Sequence, residues 1–465
     1  MSNSFLSRTP GSTSDAQRKQ FTISVWVKRS TLLTGSNHQE VLSSFATDQF
    51  GFRFQGDNKL DIFDYSVSGN NYPLRLVTNR VFRDVNAWYN IVLQVDTPNS
   101  TSSDRVKLWV NGVQETSFGT ANYPSQDYTT SWNRNGLHQI GSKAWGNSGN
   151  GSDMFPGYLA HVANVAGSVV APTVFGQTDS TSGIWKFKPP SGVTWGDNGF
   201  HLKFENSGNL GLDSSGEGNN FTTSGNLIQS KDTPSIGFCT LNPNLRIPSG
   251  FTITNGNLSF ACSGSQWQGN VGSLAPTKGK WYYECKYTTG VGIKLDIVRQ
   301  DPDMRNMATN NQSYGAYHGN GYGYQLNNSG TDYYCHNNSC TTWNSSRGNS
   351  TKIYMVCIDL DNGKYWIGAD GTWFNKTGTA NPATGTDPLH SFSGILNGDP
   401  FYITLSAEGT GSTHHANFGS GYYGTTAVST NSGNGYSDGN SQGKFSYQPP
   451  SGYYALNTKN LNTYG

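Results

Sequence analysis

Gly435-Tyr-Ser-Asp-Gly439 has the G-x-S-x-G spacing of a nucleophilic serine. That chemistry needs a strand before the serine and a helix after it, so that a strained turn presents the hydroxyl. Here the motif stands in residues 419–443, a tract of Gly, Ser, Asn, Thr and Tyr with neither signal, and reads as a long surface loop. Glycoside hydrolysis needs two carboxyl groups about 5–9 Å apart. An E-x-D-x-x-E segment would project them from one strand face, but no such segment exists. The six glutamates (40, 115, 205, 217, 284 and 408) are widely separated. Asp361, Asp370 and Asp399 precede Asn, Gly and Pro, where turn chemistry accounts for them. Asp359-Leu-Asp-Asn-Gly363 opens like a calcium loop, but Gly363 and Asp370 stand where a further ligand and a closing glutamate belong, so it reads as a hairpin turn. His414 and His415 are adjacent and must point to opposite faces of a strand; they are expected at the solvated surface. No catalytic residue and no metal site is assigned.

Aromatic side chains in polar surroundings are the strongest binding signal. Tyr123, Tyr128, Trp132 and Trp145, together with Tyr314, Tyr317, Tyr322 and Tyr324, lie in Gly- and Asn-rich contexts that read as loops. Sugar rings stack their C–H faces on aromatics, and loops on a rigid scaffold are where such sites sit. These eight are the glycan-binding candidates. The alternative is that the rings pack against the sandwich or a neighbouring subunit.

Composition narrows the scaffold that must hold them. Only 13% of the 465 residues are charged, against about 25% in an average domain. Glutamate is scarce while Gly, Asn, Asp, Ser and Thr abound, which excludes a mainly helical protein. Aromatics at 13% supply a core and exclude disorder throughout. A formal net charge of +1 offers no electrostatic footprint for nucleic acid. No transmembrane helix is visible, and the first ten residues lack the apolar stretch of a signal peptide, so Sec-type export and membrane insertion are not expected. The six cysteines show no zinc spacing and are expected as free thiols, with closure of a small loop by Cys335 and Cys340 as the alternative.

Period-two patterning recurs. Phe21, Ile23, Val25 and Val27 share one face, as do Tyr89, Ile91, Leu93 and Val95. Residues 105–110 repeat the pattern and run into Asn111-Gly112, a hairpin signal. Trp281, Tyr283, Cys285 and Tyr287 alternate with polar neighbours, whereas residues 353–358 are apolar on both faces and predict a central strand. The fold class is all-β, in sandwiches. Pro-Pro-Ser-Gly occurs at 189–192 and again at 449–452, each after an aromatic run, which suggests two modules. The expected organisation is an N-terminal arm (1–18, a candidate docking segment), a first sandwich (19–185), a bridge (186–245) and a second sandwich (246–465).

The segments Phe21-Thr-Ile-Ser-Val-Trp-Val-Lys28, Trp88-Tyr-Asn-Ile-Val92, Leu108-Trp-Val-Asn-Gly112 and Gly157-Tyr-Leu-Ala160, in that order, resemble the concanavalin A-like, laminin-G-type jelly roll over about residues 18–175. Gly279-Lys-Trp-Tyr-Tyr-Glu284 and Ile358-Asp-Leu-Asp-Asn-Gly-Lys-Tyr-Trp366 resemble a B30.2/SPRY sandwich. The whole arrangement, with Phe238-Cys-Thr-Leu-Asn-Pro243 and the terminal Pro449-Pro-Ser-Gly-Tyr-Tyr-Ala455, resembles virion proteins of tailed phages, particularly marine ones. That resemblance implies a tail-fibre, receptor-binding or head-decorating protein made in the host cytoplasm. It would partner other virion proteins, form homo-oligomers and attach to host-surface glycan or protein. A purely structural decoration subunit and a polysaccharide depolymerase are the alternatives. No cofactor is implied beyond a single structural Ca2+, which laminin-G-type domains often hold at a sheet rim.

Overall fold

The computed structural model describes residues 4–11, 14–146, 153–244, 251–263, 268–290, 292–299, 321–327, 330–336, 339–345, 347–375, 378–392, 398–407, 409, 411–429 and 435–465. The fold is all-β, as expected; among the described residues the α-helices are the short Asp15–Lys19 and Thr458–Tyr464. The chain divides into two compact units, Met1–Gln229 with Thr233–Ser235, and Ser230–Asp232 with Ile236–Gly465.

The first unit pairs an eight-stranded with a six-stranded antiparallel sheet. The larger runs in the order Phe118–Asn122, Asn71–Val81, Lys59–Ser66, Gln49–Gln55, His38–Phe45, Leu137–Ile140, Phe5–Arg8 and Thr222–Ser224. The smaller runs Phe200–Leu202, Gly157–Ala166, Gln20–Arg29, Tyr89–Asp96, Val106–Val110 and Val113–Glu115. The alternation read in the sequence sends Phe21, Ile23, Val25 and Val27 from one sheet, and Phe50, Phe52 and Phe54 from the other, into one core. Each such fully buried side chain contributes about 1.5–3 kcal/mol. The outer face of the smaller sheet is covered: Val92, Ala163 and Val165 pack under Phe175, Val170 and Trp195. Trp185 donates to Asn90 Oδ1 at 3.0 Å and lies so close over Gly112 that a Cβ there would meet its ring at 2.4 Å.

Two expectations change here. The N-terminal segment is not a free docking arm, because Phe5–Arg8 pairs with strands on both sides and buries Phe5 and Leu6. Strands Phe200–Leu202 and Thr222–Ser224, from the segment read as a bridge, are built into the first unit's sheets.

The second unit has a large sheet ordered Phe251–Thr254, Ser259–Cys262, Thr413–Asn417, Lys280–Thr289, Tyr354–Asp359, Lys364–Ala369 and Thr372–Trp373. Its second sheet is ordered Gln268–Val271, Phe401–Ala407, Gly292–Arg299, Gly321–Asn327, Thr331–His336 and Ser339–Ser345. The strand Tyr354–Asp359 is covered on both faces: Tyr354, Val356 and Ile358 enter the core between the sheets, while Met355 and Cys357 pack with Tyr282, Trp366 and Phe445. Asp359 and Lys364 close the expected hairpin.

His414 and His415 are buried rather than solvated, because their strand lies between two others and both its faces are packed. His414 sits 5.7 Å from Tyr287, and His415 Nδ1 lies 2.8 Å from Ser259 Oγ. The expectation of six free thiols is corrected as well. Cys335 and Cys340 stand directly opposite on paired strands and form a disulfide, whereas Cys239, Cys262, Cys285 and Cys357 are free and buried.

Candidate functional site

The outer face of the eight-stranded sheet carries charged and aromatic side chains where solvated small polar residues would suffice. It is assembled from four neighbouring strands. In Gln49–Gln55 the phenylalanines at 50, 52 and 54 enter the core, which turns Gly51, Arg53 and Gln55 outward. In Lys59–Ser66 the same alternation turns out Asp61, Phe63 and Tyr65. The register then sets Glu40 opposite Arg53, Arg53 opposite Asp61, and Phe63 opposite Arg75.

Asp61 anchors the face. Its Oδ2 accepts from Arg53 Nε at 3.1 Å, Arg53 Nη2 at 3.0 Å, Gln55 Nε2 at 2.8 Å and Arg75 Nη2 at 3.2 Å, and its Oδ1 accepts from Arg75 Nε at 3.1 Å. Each guanidinium also lies over a ring: Arg53 4.4 Å from the centroid of Phe63, and Arg75 4.6 Å from that of Tyr72. Tyr72 in turn contacts Phe63 (5.6 Å) and Tyr65 (4.9 Å). The result is a pair of partly exposed rings, Tyr65 and Tyr72, above the buried Phe63 and beside two planar cations, held by the sheet below and by one carboxylate between them. Glycine at 51 is required, since a Cβ there would stand 2.2 Å from the Phe63 ring and 2.7 Å from Glu40 Oε1.

A loop walls one side. Gly141 N donates to the Val41 carbonyl, Ala144 N to Ser43 Oγ, and Glu40 N to the Asp153 carbonyl. Lys143 pairs with Asp153 at 3.6 Å and lies 5.0 Å from the Trp145 ring, which packs at 5.2 Å on Phe45. Trp145 remains 43% exposed, so the wall presents an aromatic edge. Beneath it Glu40 is fully buried, and neither carboxyl oxygen has a hydrogen-bond partner. Burial pushes its carboxyl up to about 8, against the opposing pull of Arg53. Glu40 is therefore mostly protonated at neutral pH, and Asp61 faces two guanidinium groups alone.

The sequence candidates are scattered over both units. Trp145 is at the surface. Tyr123 is half-buried and, with Phe118, Lys107 and Gln114, lines a separate groove of about 310 Å³ at the sheet edge. Tyr128 donates to Asp64 Oδ1 at 3.3 Å. Trp132 is no loop platform: it is fully buried against Phe50 and donates to Asn164 Oδ1 at 3.0 Å. Tyr322 and Tyr324 are also buried, on the strand Gly321–Asn327, where Tyr324 donates to the Leu389 carbonyl at 2.7 Å. Tyr314 and Tyr317 lie outside the described residues. Gly435-Tyr-Ser-Asp-Gly439 has no helix after it, as expected of a loop. Glu40, Arg53, Asp61, Tyr65, Tyr72 and Arg75 were not legible as a group, although Arg53 and Asp61, charged amid alternating aromatics, are the signal that could have singled them out.

Residues 7–169 match the concanavalin A-like lectin/glucanases superfamily, Laminin_G_3. The match contains every residue of the charged and aromatic face. It supports the expected jelly roll and begins inside the segment read as an arm. No curated protein matches the chain. Two solved structures similar to it are SPRY domains: the PSpry domain of TRIM65 (14% identity, TM-score 0.28, covering 38% of this chain and 91% of that one) and the SPRY domain of human HERC1 (11% identity, TM-score 0.28, covering 38% and 96%). Among the described residues no group of three or more His, Cys, Asp or Glu is placed to hold a metal ion. Among them, too, no helix is long and apolar enough to cross a membrane.

Proposed function

We propose that the chain is a structural protein of a tailed-phage virion, a tail-fibre, receptor-binding or head-decorating protein, and that it attaches to host-surface glycan through the outer face of the eight-stranded sheet. The virion assignment rests on the sequence resemblance alone. The attachment assignment rests on one observation: two partly exposed rings, Tyr72 packed on the buried Phe63 and Tyr65 beside it, stand next to two arginines that Asp61 holds in place. Stacking surfaces and fixed donors on rigid strands are what sugar recognition requires, since little conformational entropy is then lost on binding. The Laminin_G_3 match, whose superfamily includes lectins, agrees with this reading.

The test is binding of the purified chain to host cells and to polysaccharide extracted from them, with Tyr65→Ala and Tyr72→Ala as variants. Loss of a ring is expected to weaken binding about tenfold. Absence of binding to cells and polysaccharide, or full binding by both variants, overturns the reading. Release of new reducing ends from the polysaccharide would favour the depolymerase alternative.

A further inference from the structure

The electrostatics of this face specify a ligand more narrowly than its rings do. Five charged groups govern it: Arg53, Arg75 and Lys143 are cationic, Asp61 and Asp153 anionic. Lys143 and Asp153 neutralise one another in the wall. The two other carboxyl-bearing or titratable neighbours add nothing at neutral pH, because burial keeps Glu40 protonated and lowers the proton affinity of His38. One positive charge is left over, shared by two guanidiniums on a sheet face.

Their donors are already aimed. Arg53 and Arg75 both use Nε and Nη2 on Asp61, so Nη1 of each takes no part in those bonds. Arg75 is the accessible one, with its side chain about a quarter exposed (27%) where that of Arg53 is 9%. Tyr72 supports the Arg75 plane from beneath. A guanidinium with one edge anchored and its face stacked loses little freedom when the remaining donors meet an oxyanion, and charge-assisted bonds of this kind are about twice as strong as neutral ones. A neutral sugar would use the rings but leave the surplus charge unanswered.

We infer that the outer face of the eight-stranded sheet takes an anionic polysaccharide, one whose sugars carry carboxylate or sulfate, with Arg75 as the residue that reads the charge. This rests on the glycan reading above and specifies the ligand of that same site.

The experiment uses the full chain and three polymers: polygalacturonate for carboxylate, dextran sulfate for sulfate, and dextran as the neutral polymer. Binding is measured at low and high salt for the unaltered chain, Arg75→Gln, Arg75→Lys and Tyr72→Ala. Binding to one or both acidic polymers, at least about tenfold tighter than to dextran, weakened by salt and largely lost in Arg75→Gln but partly kept in Arg75→Lys, is the expected result. The polymer preferred names the anionic group. Circular dichroism and melting curves of Arg75→Gln, expected near those of the unaltered chain, separate loss of recognition from loss of fold. Equal binding of dextran with no effect of Arg75→Gln overturns the anionic assignment while the glycan reading stands. Binding of none of the polymers, together with capture of a host surface protein, overturns both.

Discussion

Glu40 and Arg53 stand directly opposite each other on paired strands, yet Arg53 turns away from Glu40 and forms its ion pair with Asp61 on the next strand. The cross-strand partner that would ordinarily hold Glu40 ionised is thus committed elsewhere. Glu40 Oε1 and the Phe63 ring fill the space over Gly51, and neither carboxyl oxygen has a hydrogen bond. A buried charge without a hydrogen bond costs more than its protonation, and the pull of Arg53 is too small to offset that, so the carboxyl stays mostly neutral at pH 7.

This sets a pH dependence of definite sign. The folded carboxyl titrates near 8 against 4.5 in its ordinary environment. A raised folded value contributes stability that is fully present below about 4.5 and is lost as pH rises through 8. At pH 7 the cost is on the order of 3 kcal/mol. Glu40→Gln removes the titration and is expected to stabilise the chain at pH 8 by about 4 kcal/mol while changing little at pH 4.5. Urea melts of both proteins at the two pH values check this; an equal effect at both would contradict it.

The buried histidines act in the opposite sense. Burial lowers His138, His201 and His415 to about 4 and His161 and His414 to about 3. A folded value below the ordinary 6.5 gives stability that is present above about 6.5 and lost as pH falls toward the folded value. Each fully buried ring is expected to cost on the order of 2 kcal/mol by pH 5. His414→Phe, which keeps the aromatic contacts with Phe260 and Tyr287, should reduce the fall in melting temperature between pH 7 and pH 5 by about 4–8 °C.

Alternation in Phe21–Val27 and in Trp281–Tyr287 is a property of neighbours in the chain, so the strands, and with them the sandwiches, were legible. The site was not, because Arg53, Asp61 and Arg75 are separated by 8 and 14 positions and only strand register unites them. Tyr322 and Tyr324 misled for a related reason. Gly-Tyr-Gly-Tyr-Gln reads as loop composition, but Gly323 is there because a Cβ would meet Asp296 Oδ1 at 2.1 Å. A glycine that clears space for a neighbouring strand looks, in sequence, like a glycine that frees a loop. The scarcity of glutamate spoke against acid–base roles, and nothing local distinguished Glu40 or Glu284 from the remaining four.

Glu284 shows what a buried carboxylate does when it is satisfied. Its oxygens accept from Tyr282 Oη at 2.9 Å, the amides of Ser446 and Tyr447 at 2.9 and 2.8 Å, Asn417 Nδ2 at 3.3 Å and Tyr423 Oη. Three chain segments (417–423, 446–447 and the strand Lys280–Thr289) meet on this one side chain. Glu284→Ala removes the acceptor of five donors, of which Asn417 Nδ2 keeps the Lys444 carbonyl and Tyr423 Oη keeps Ser446 Oγ, and is expected to destabilise the chain by about 3 kcal/mol or more. Glu284→Gln, which retains one acceptor oxygen, should cost less. Limited proteolysis is expected to cut within 419–446 sooner in Glu284→Ala; an unchanged cutting rate would contradict the clamp.

The disulfide gives a prediction that needs no variant. Cys335 and Cys340 bond across paired strands, while the other four cysteines are free. Alkylation of the chain unfolded without reductant should therefore label four cysteines, and six after reduction. Closing so short a loop restricts the unfolded chain only modestly, so Cys335→Ser with Cys340→Ser is expected to cost about 2 kcal/mol. The loss should be local in effect. Trp343 lies on the strand that the bridge ties down, 5.2 Å from Tyr324 and beneath Arg347, so tryptophan fluorescence should change on reduction. Labelling of all six cysteines without reductant would show that the hairpin holds its register by backbone pairing alone.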